Sequence, residues 1–197
     1  MIEPTNSKFM SDSTKGSGGR EAVLDFELSW VLRMAADEET GATRPLLYHQ
    51  CRTIFAKLFG IEGPFVINDV KVWKQYDEID LWIESHITIN GQLEKHAMII
   101  EDKAYSEMKV HQRDDYPLRA LSYYQGLEEW ADLHFHQCVV TCHDPGDGGN
   151  EQLNDFCKGT NWKIYSIVEL PDWDCPEKTE SDLFNEFWFT SWNPIED

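Results

Sequence analysis

Basic residues are scarce in this chain: 17 Lys plus Arg stand against 36 Asp plus Glu, a formal net charge of -19 over 197 residues. A protein that grips nucleic acid by bulk electrostatics carries a neutralising basic surface, so any such contact here is local. Long apolar runs are missing as well. The longest are of the size of Ala97-Met98-Ile99-Ile100, against about 20 residues for a membrane span, and the N-terminus lacks the apolar stretch of a secretory signal. The five cysteines, Cys51, Cys138, Cys142, Cys157 and Cys175, are odd in number and irregularly spaced. They make no disulfide framework and suit a reducing cytoplasm. No Ser/His/Asp nucleophile motif appears. Gly146, Gly148 and Gly149 form a Gly/Asp loop without the Lys or the following helix that a phosphate-binding loop requires.

What is present supports one substantial core, since 41% of residues are hydrophobic and 13% aromatic. Residues 1–19 are poor in large apolar side chains and end in Gly16-Ser17-Gly18-Gly19, a composition that predicts a flexible lead-in. Residues 20–197 are then a single domain. Glu21, Leu24, Leu28, Val31 and Leu32 share one stripe of a helix starting at Arg20, which puts a charge in register with a core face. A second helix is predicted over 46–58, ended by Gly60, after a polar connection over 37–44.

The centre is rich in Val, Ile, Trp and Thr over 65–73, 79–89 and 96–103, with Asn90-Gly91 between the last two, a hairpin signature. After Tyr105 the pattern is helical to Trp130. Segments 137–142 and 162–168 read as further strands, separated by a loop over 144–150. The order predicts an α/β domain with a mixed sheet, in which a crossover helix follows the hairpin. The aromatic tail, with Trp173, Phe184, Phe187, Trp188, Phe189 and Trp192, reads as a helix that caps the core.

Alternation along the third strand puts Glu101 and Lys103 on one face and Asp102 on the other. In a hairpin turning at Asn90-Gly91, partner numbers sum to about 181, so Asp80 lies opposite Glu101. Two close carboxylates repel unless a cation lies between them, and magnesium suits such an all-oxygen site.

Asp80, then Glu101-Asp102-Lys103 closing an apolar run, resembles the PD-(D/E)XK nuclease superfamily. Gln112 to Tyr116 has the Gln-x-x-x-Tyr spacing of RecB-like members, and Glu21 with Leu24, Leu28, Ser29, Trp30, Val31 and Leu32 resembles the opening helix of one bacterial family in that superfamily. The resemblance covers about residues 20 to 170 and implies a restriction-endonuclease-like core, a mixed sheet with a β-hairpin active site flanked by helices. It implies that Asp80, Glu101, the Asp102 carbonyl and Glu21 bind magnesium, with manganese as a substitute. Lys103 would position the attacking water, and Gln112 and Tyr116 would orient the site or the substrate phosphates. Pro117 directly follows Tyr116, and a proline is tolerated only in a helix's first turn. That places the helix start near Asp114 or Asp115, with Gln112 ahead of it.

The expected activity is metal-dependent hydrolysis of phosphodiesters in DNA, with RNA the second choice. The acidic balance calls for a partner subunit with a basic surface, a basic rim, or a short or unwound substrate. The rival readings are a non-catalytic subunit or binding module that keeps the nuclease fold, and an acidic protein that mimics DNA. His134, His136, Cys138 and Cys142 alternate along one strand, but extended spacing of roughly 6 to 7 Å keeps them from converging on zinc. Asp144, Asp147 and Asn150 read as solvated loop rather than a calcium site.

Overall fold

The computed structural model describes residues 5–6, 18–175 and 177–191. The chain runs β1 (Thr5–Asn6), α1 (Gly18–Met34), α2 (Glu38–Thr43), α3 (Pro45–Phe59), β2 (Phe65–Tyr76), β3 (Ile79–Ile89), β4 (Gln92–Lys103), α4 (Val110–Tyr124), β5 (Leu133–Thr141), α5 (Gly148–Cys157), β6 (Lys163–Ser166), α6 (Asp182–Trp188) and β7 (Thr190–Ser191). This is an α/β arrangement around a five-stranded mixed sheet of order β2-β3-β4-β5-β6. The first three strands are antiparallel, and β4, β5 and β6 are parallel. Most of the lead-in expected over residues 1–19 lies outside the described residues, as does Trp192. Within it, Thr5–Asn6 pairs in parallel with Thr190–Ser191, and α1 already begins at Gly18. No helix among the described residues is long and apolar enough to cross a membrane.

The β3–β4 hairpin turns at Asn90 and Gly91, with φ of 51° and 81°. Its ladder runs from Ile89↔Gln92 to Leu81↔Ile100, each pair summing to the expected 181. A second tight hairpin, β2–β3, has no Gly at its turn: Asp77 and Glu78 hold φ of 53° and 67° between the paired Tyr76 and Ile79. Left-handed backbone costs a residue with a Cβ about 1 to 2 kcal/mol. Arg119 on α4 reaches both acids, at 3.3 Å from Asp77 and 3.2 Å from Glu78, and offsets their mutual repulsion.

Alternation divides the sheet's side chains between two layers. Leu81, Ile83, Met98, Ile100, Cys138 and Val140 pack against α1, α3 and α6, where Phe184, Phe187, Trp188 and Phe189 close the core as the aromatic tail predicted. Trp82, Ala97, Ile99 and Val139 pack against α4 and α5. The second helix runs Pro45–Phe59 and ends at Gly60 in the left-handed conformation.

Three expectations are corrected. The polar connection over 37–44 contains α2, because the Asp37 side chain accepts the Thr40 N–H and caps a short helix. The Gly/Asp loop does lead into a helix: Asp147 accepts the Asn150 N–H at 2.7 Å and starts α5, which buries Leu153 and Cys157. Helix α4 starts at Val110, not near Asp114, with Pro117 inside it. Pro117 has no N–H for the Arg113 carbonyl, and the Trp162 indole donates to that carbonyl instead, at 2.9 Å.

Candidate active site

The site forms where β4 ends. Odd-numbered residues of β4 face α4, so Glu101 and Lys103 continue the face of Ala97 and Ile99, while Asp102 continues the α1 face of Met98 and Ile100. Lys103 Nζ donates to Glu101 Oε2 at 2.9 Å and to the Asp102 carbonyl at 3.1 Å, and lies 3.7 Å from Asp80 Oδ2. Asp80 is held from the next strand, its Oδ2 accepting the Asp102 N–H at 2.9 Å. The register implied by Asn90-Gly91 therefore brings Asp80, Glu101 and Lys103 together around one ammonium.

Helix α4 contributes Gln112. Because the helix begins at Val110, Gln112 lies in its first turn, where its side-chain Oε1 accepts the Lys109 N–H at 2.9 Å. Its Nε2 donates to Glu101 Oε2 at 2.7 Å. Tyr116, one turn further, is buried, and burial together with the charges of Glu101 and Glu78 raises its phenol above the usual range.

Glu101 is 0% exposed and its Oε1 has no hydrogen-bond partner. Burial pushes its carboxyl up to about 7, with Lys103 pulling down and Asp80 pushing up. Lys103 is only 5% exposed. Burial disfavours its charge, but Glu101 and Asp80 more than offset that, and its ammonium is held above the ordinary lysine value.

Two residues of this region had not been singled out. Asp25 on α1 is buried and faces Asp102, and both carboxyls are raised, chiefly by burial. Neither Asp102 oxygen has a hydrogen-bond partner among the described residues, and the neighbouring Asp25 carboxyl adds to burial in holding the Asp102 carboxyl well above the usual carboxylate range. Gln75, with φ of 52° at the end of β2, donates to Asp80 Oδ1 at 2.9 Å and to Asp25 Oδ2 at 3.4 Å, tying the two faces together. Asp25 had a sequence signal, since it follows Glu21 by one helical turn. Gln75 had none.

Glu21 does not join this donor set. Its carboxylate accepts the Ser106 hydroxyl, and it reaches Lys103 through its charge alone. Among the described residues no three His, Cys, Asp or Glu side chains are grouped to hold a metal ion.

At the other end of β4 and β5, His96 Nδ1 meets His136 Nε2 at 2.9 Å, His96 stacks on His134 at 4.9 Å, and Glu94 accepts from His96 at 3.1 Å. Cys138 lies apart from them, buried, with its Sγ donating to the Leu58 carbonyl. All five cysteines are free and buried. Comparison with known proteins identifies no relative, since no family model, no curated protein and no solved structure matches the chain.

Proposed function

We propose that the chain is a metal-dependent phosphodiesterase acting on nucleic acid, DNA first and RNA second, with its sheet serving as a restriction-endonuclease-like core. The observation that carries this reading is the meeting at Lys103, where one buried ammonium contacts Glu101 and Asp80 while Gln112 holds the same Glu101 oxygen. An Asp and a Glu-x-Lys on paired strands serve hydrolysis of a phosphodiester well, because that reaction needs hard oxygen donors beside a fixed positive charge.

The donors suit a divalent cation. Glu101 Oε1 is buried and unpartnered, and Asp80 and the Asp102 carbonyl add hard oxygens at the same strand ends. These three groups would hold magnesium, with manganese as a substitute, and such an ion, when bound, supplies Lewis-acid polarisation of the phosphate. The remaining work belongs to side chains. Lys103 donates to the attacking water and offsets charge that develops on the phosphate oxygens. Gln112 fixes one oxygen of Glu101, and the Asp102 N–H fixes one oxygen of Asp80, so both carboxylates stand in place before substrate arrives. With a net charge of -19, affinity for a long polyanion calls for a partner's basic surface.

A second reading, a non-catalytic subunit on the same fold, is favoured by the closed character of the ion pair, with Glu101 at 0% and Lys103 at 5% exposure. Incubation with single- and double-stranded DNA and RNA in magnesium or manganese separates the two. Cleavage by the wild type that disappears in Asp80→Asn is the expected result; intact substrates throughout, alone and with natural partners, would leave the non-catalytic reading.

A further inference from the structure

We propose that the cavity beyond the end of β4 is a nucleobase site, so that the strand being cut is single-stranded or has one nucleotide turned out. This rests on the nuclease reading and names its substrate. The register pairs Lys103 with Thr141, and two residues beyond each stand Tyr105 and His143, whose rings meet edge to face at 5.0 Å. Between this ring pair and α5 lies a cavity of about 510 Å³, within the roughly 300–1,000 Å³ of small-molecule sites. It therefore opens one step along the chain from the ammonium that would meet the phosphate.

The walls match a base and not a phosphate. Tyr105, Met108 and Phe156 supply flat or soft apolar surface, and Phe156 is braced by the Arg113 guanidinium, 4.7 Å from its ring centroid. The polar lining residues are Ser106, Glu107, His143 and Gln152, of which Gln152 and His143 suit the hydrogen-bonding edge of a base. His143 is held in place, with Nδ1 3.0 Å from Asp147 Oδ2, which leaves Nε2 for a ligand. Its ring lies so close to Gly149 that a Cβ there would meet it at 2.1 Å. No lining residue is Lys or Arg, and Glu107 is among them; Arg20 and Arg113 lie over the Tyr105 and Phe156 rings rather than in the lining, so the walls offer an anion no direct cationic partner. A base inside a duplex is covered on both faces and has to leave the stack before it can enter such a cavity. Stacking on an aromatic wall accepts every base, so no sequence preference follows.

Fluorescence anisotropy of a labelled short single strand, of its duplex and of an equivalent strand lacking bases, with the full chain in EDTA, tests this. The single strand is expected to bind about tenfold or more tighter than the other two. Phe156→Ala and Gln152→Trp, the latter filling the cavity from an exposed position, are each expected to remove most of that preference. Gln152→Trp keeps the test open if Phe156→Ala folds poorly, and its melting temperature should match the wild type. Equal affinity for all three probes, or an unaltered preference in Gln152→Trp, would overturn the cavity assignment. Cleavage read in parallel with magnesium keeps the two proposals apart: cutting of strand and duplex alike, untouched by Gln152→Trp, overturns the base site alone. Tight single-strand binding without any cutting supports the base site and overturns the enzyme.

Discussion

At Lys103, burial and charge pull in opposite directions, and the carboxylates of Glu101 and Asp80 win, so the ammonium persists at neutral pH. Lys103→Met removes the fixed charge while keeping the aliphatic stem. Cleavage is expected to fall by about 10² to 10³. The fold should survive, because Glu101, already at about 7, takes up a proton when its partner is lost. Single-turnover rates and thermal melts check the two halves, and a variant as active as wild type would remove Lys103 from the reaction. Glu27 makes a separate case on α1. It is 1% exposed, and burial pushes its carboxyl from 4.5 up to about 7 against the pull of the Trp188 indole. The folded state therefore binds its proton more tightly than the unfolded state does, and stability falls as pH rises from about 4.5 to 7. Glu27→Gln removes that loss. Unfolding free energies from urea melts should be close to wild type at pH 5 and higher in the variant at pH 8, by up to about 3 kcal/mol.

At the scale of elements, α4 depends on a donor from outside itself. Pro117 leaves the Arg113 carbonyl without its helical N–H, and the Trp162 indole, just ahead of β6, fills the gap. Trp162→Phe keeps most of the ring and loses the donor, which is expected to cost about 1 to 2 kcal/mol in urea unfolding. In a Pro117→Ala background the helix can supply its own N–H, so the same substitution should cost less; an identical cost in both backgrounds would mean that ring packing alone is at work. The stake is the site, since this helix carries Gln112 to Glu101.

For the whole molecule, the pH response joins two ends of one sheet. Burial lowers His136 to about 4, aided by the charges of His96, Lys163 and His134, and His96 is also lowered by burial. An imidazole whose folded value is depressed is protonated more readily in the unfolded chain. The stability it contributes is complete above about 6.5 and is lost as pH falls toward 4. Glu27 and Glu101 act in the opposite sense between about 4.5 and 7, so the wild type should show a shallow pH profile across that window. His136→Phe removes one side of this balance, so stability at pH 4 relative to pH 6.5 should be higher in the variant than in the wild type, by up to about 3 kcal/mol. Urea midpoints at half-unit steps of pH measure it, and a parallel profile in the variant would place the acid sensitivity elsewhere.

What the sequence alone determined is local and periodic. Asn90 and Gly91 accept positive φ, and a two-residue turn sets the ladder as far as Leu81↔Ile100, so the approach of Asp80, one residue beyond it, to Glu101 and of Glu101 to Lys103 was readable from spacing. The core face of α1, the span of α3 with its end at Gly60 and the aromatic cap followed from period and composition. Tertiary structure decided whatever depends on a partner distant along the chain. The start of α4 was misjudged because the group that makes Pro117 tolerable is an indole beyond the next two elements. The Asp77-Glu78 turn was hidden because its acids need Arg119 from α4. Asp25 against Asp102, Gln75 between Asp25 and Asp80, and His96 against His136 all join elements whose relative positions no local pattern encodes. Turn geometry and side-chain period are properties of consecutive residues, whereas satisfying a buried carbonyl, carboxyl or imidazole depends on whatever side chain the packed layers bring to it.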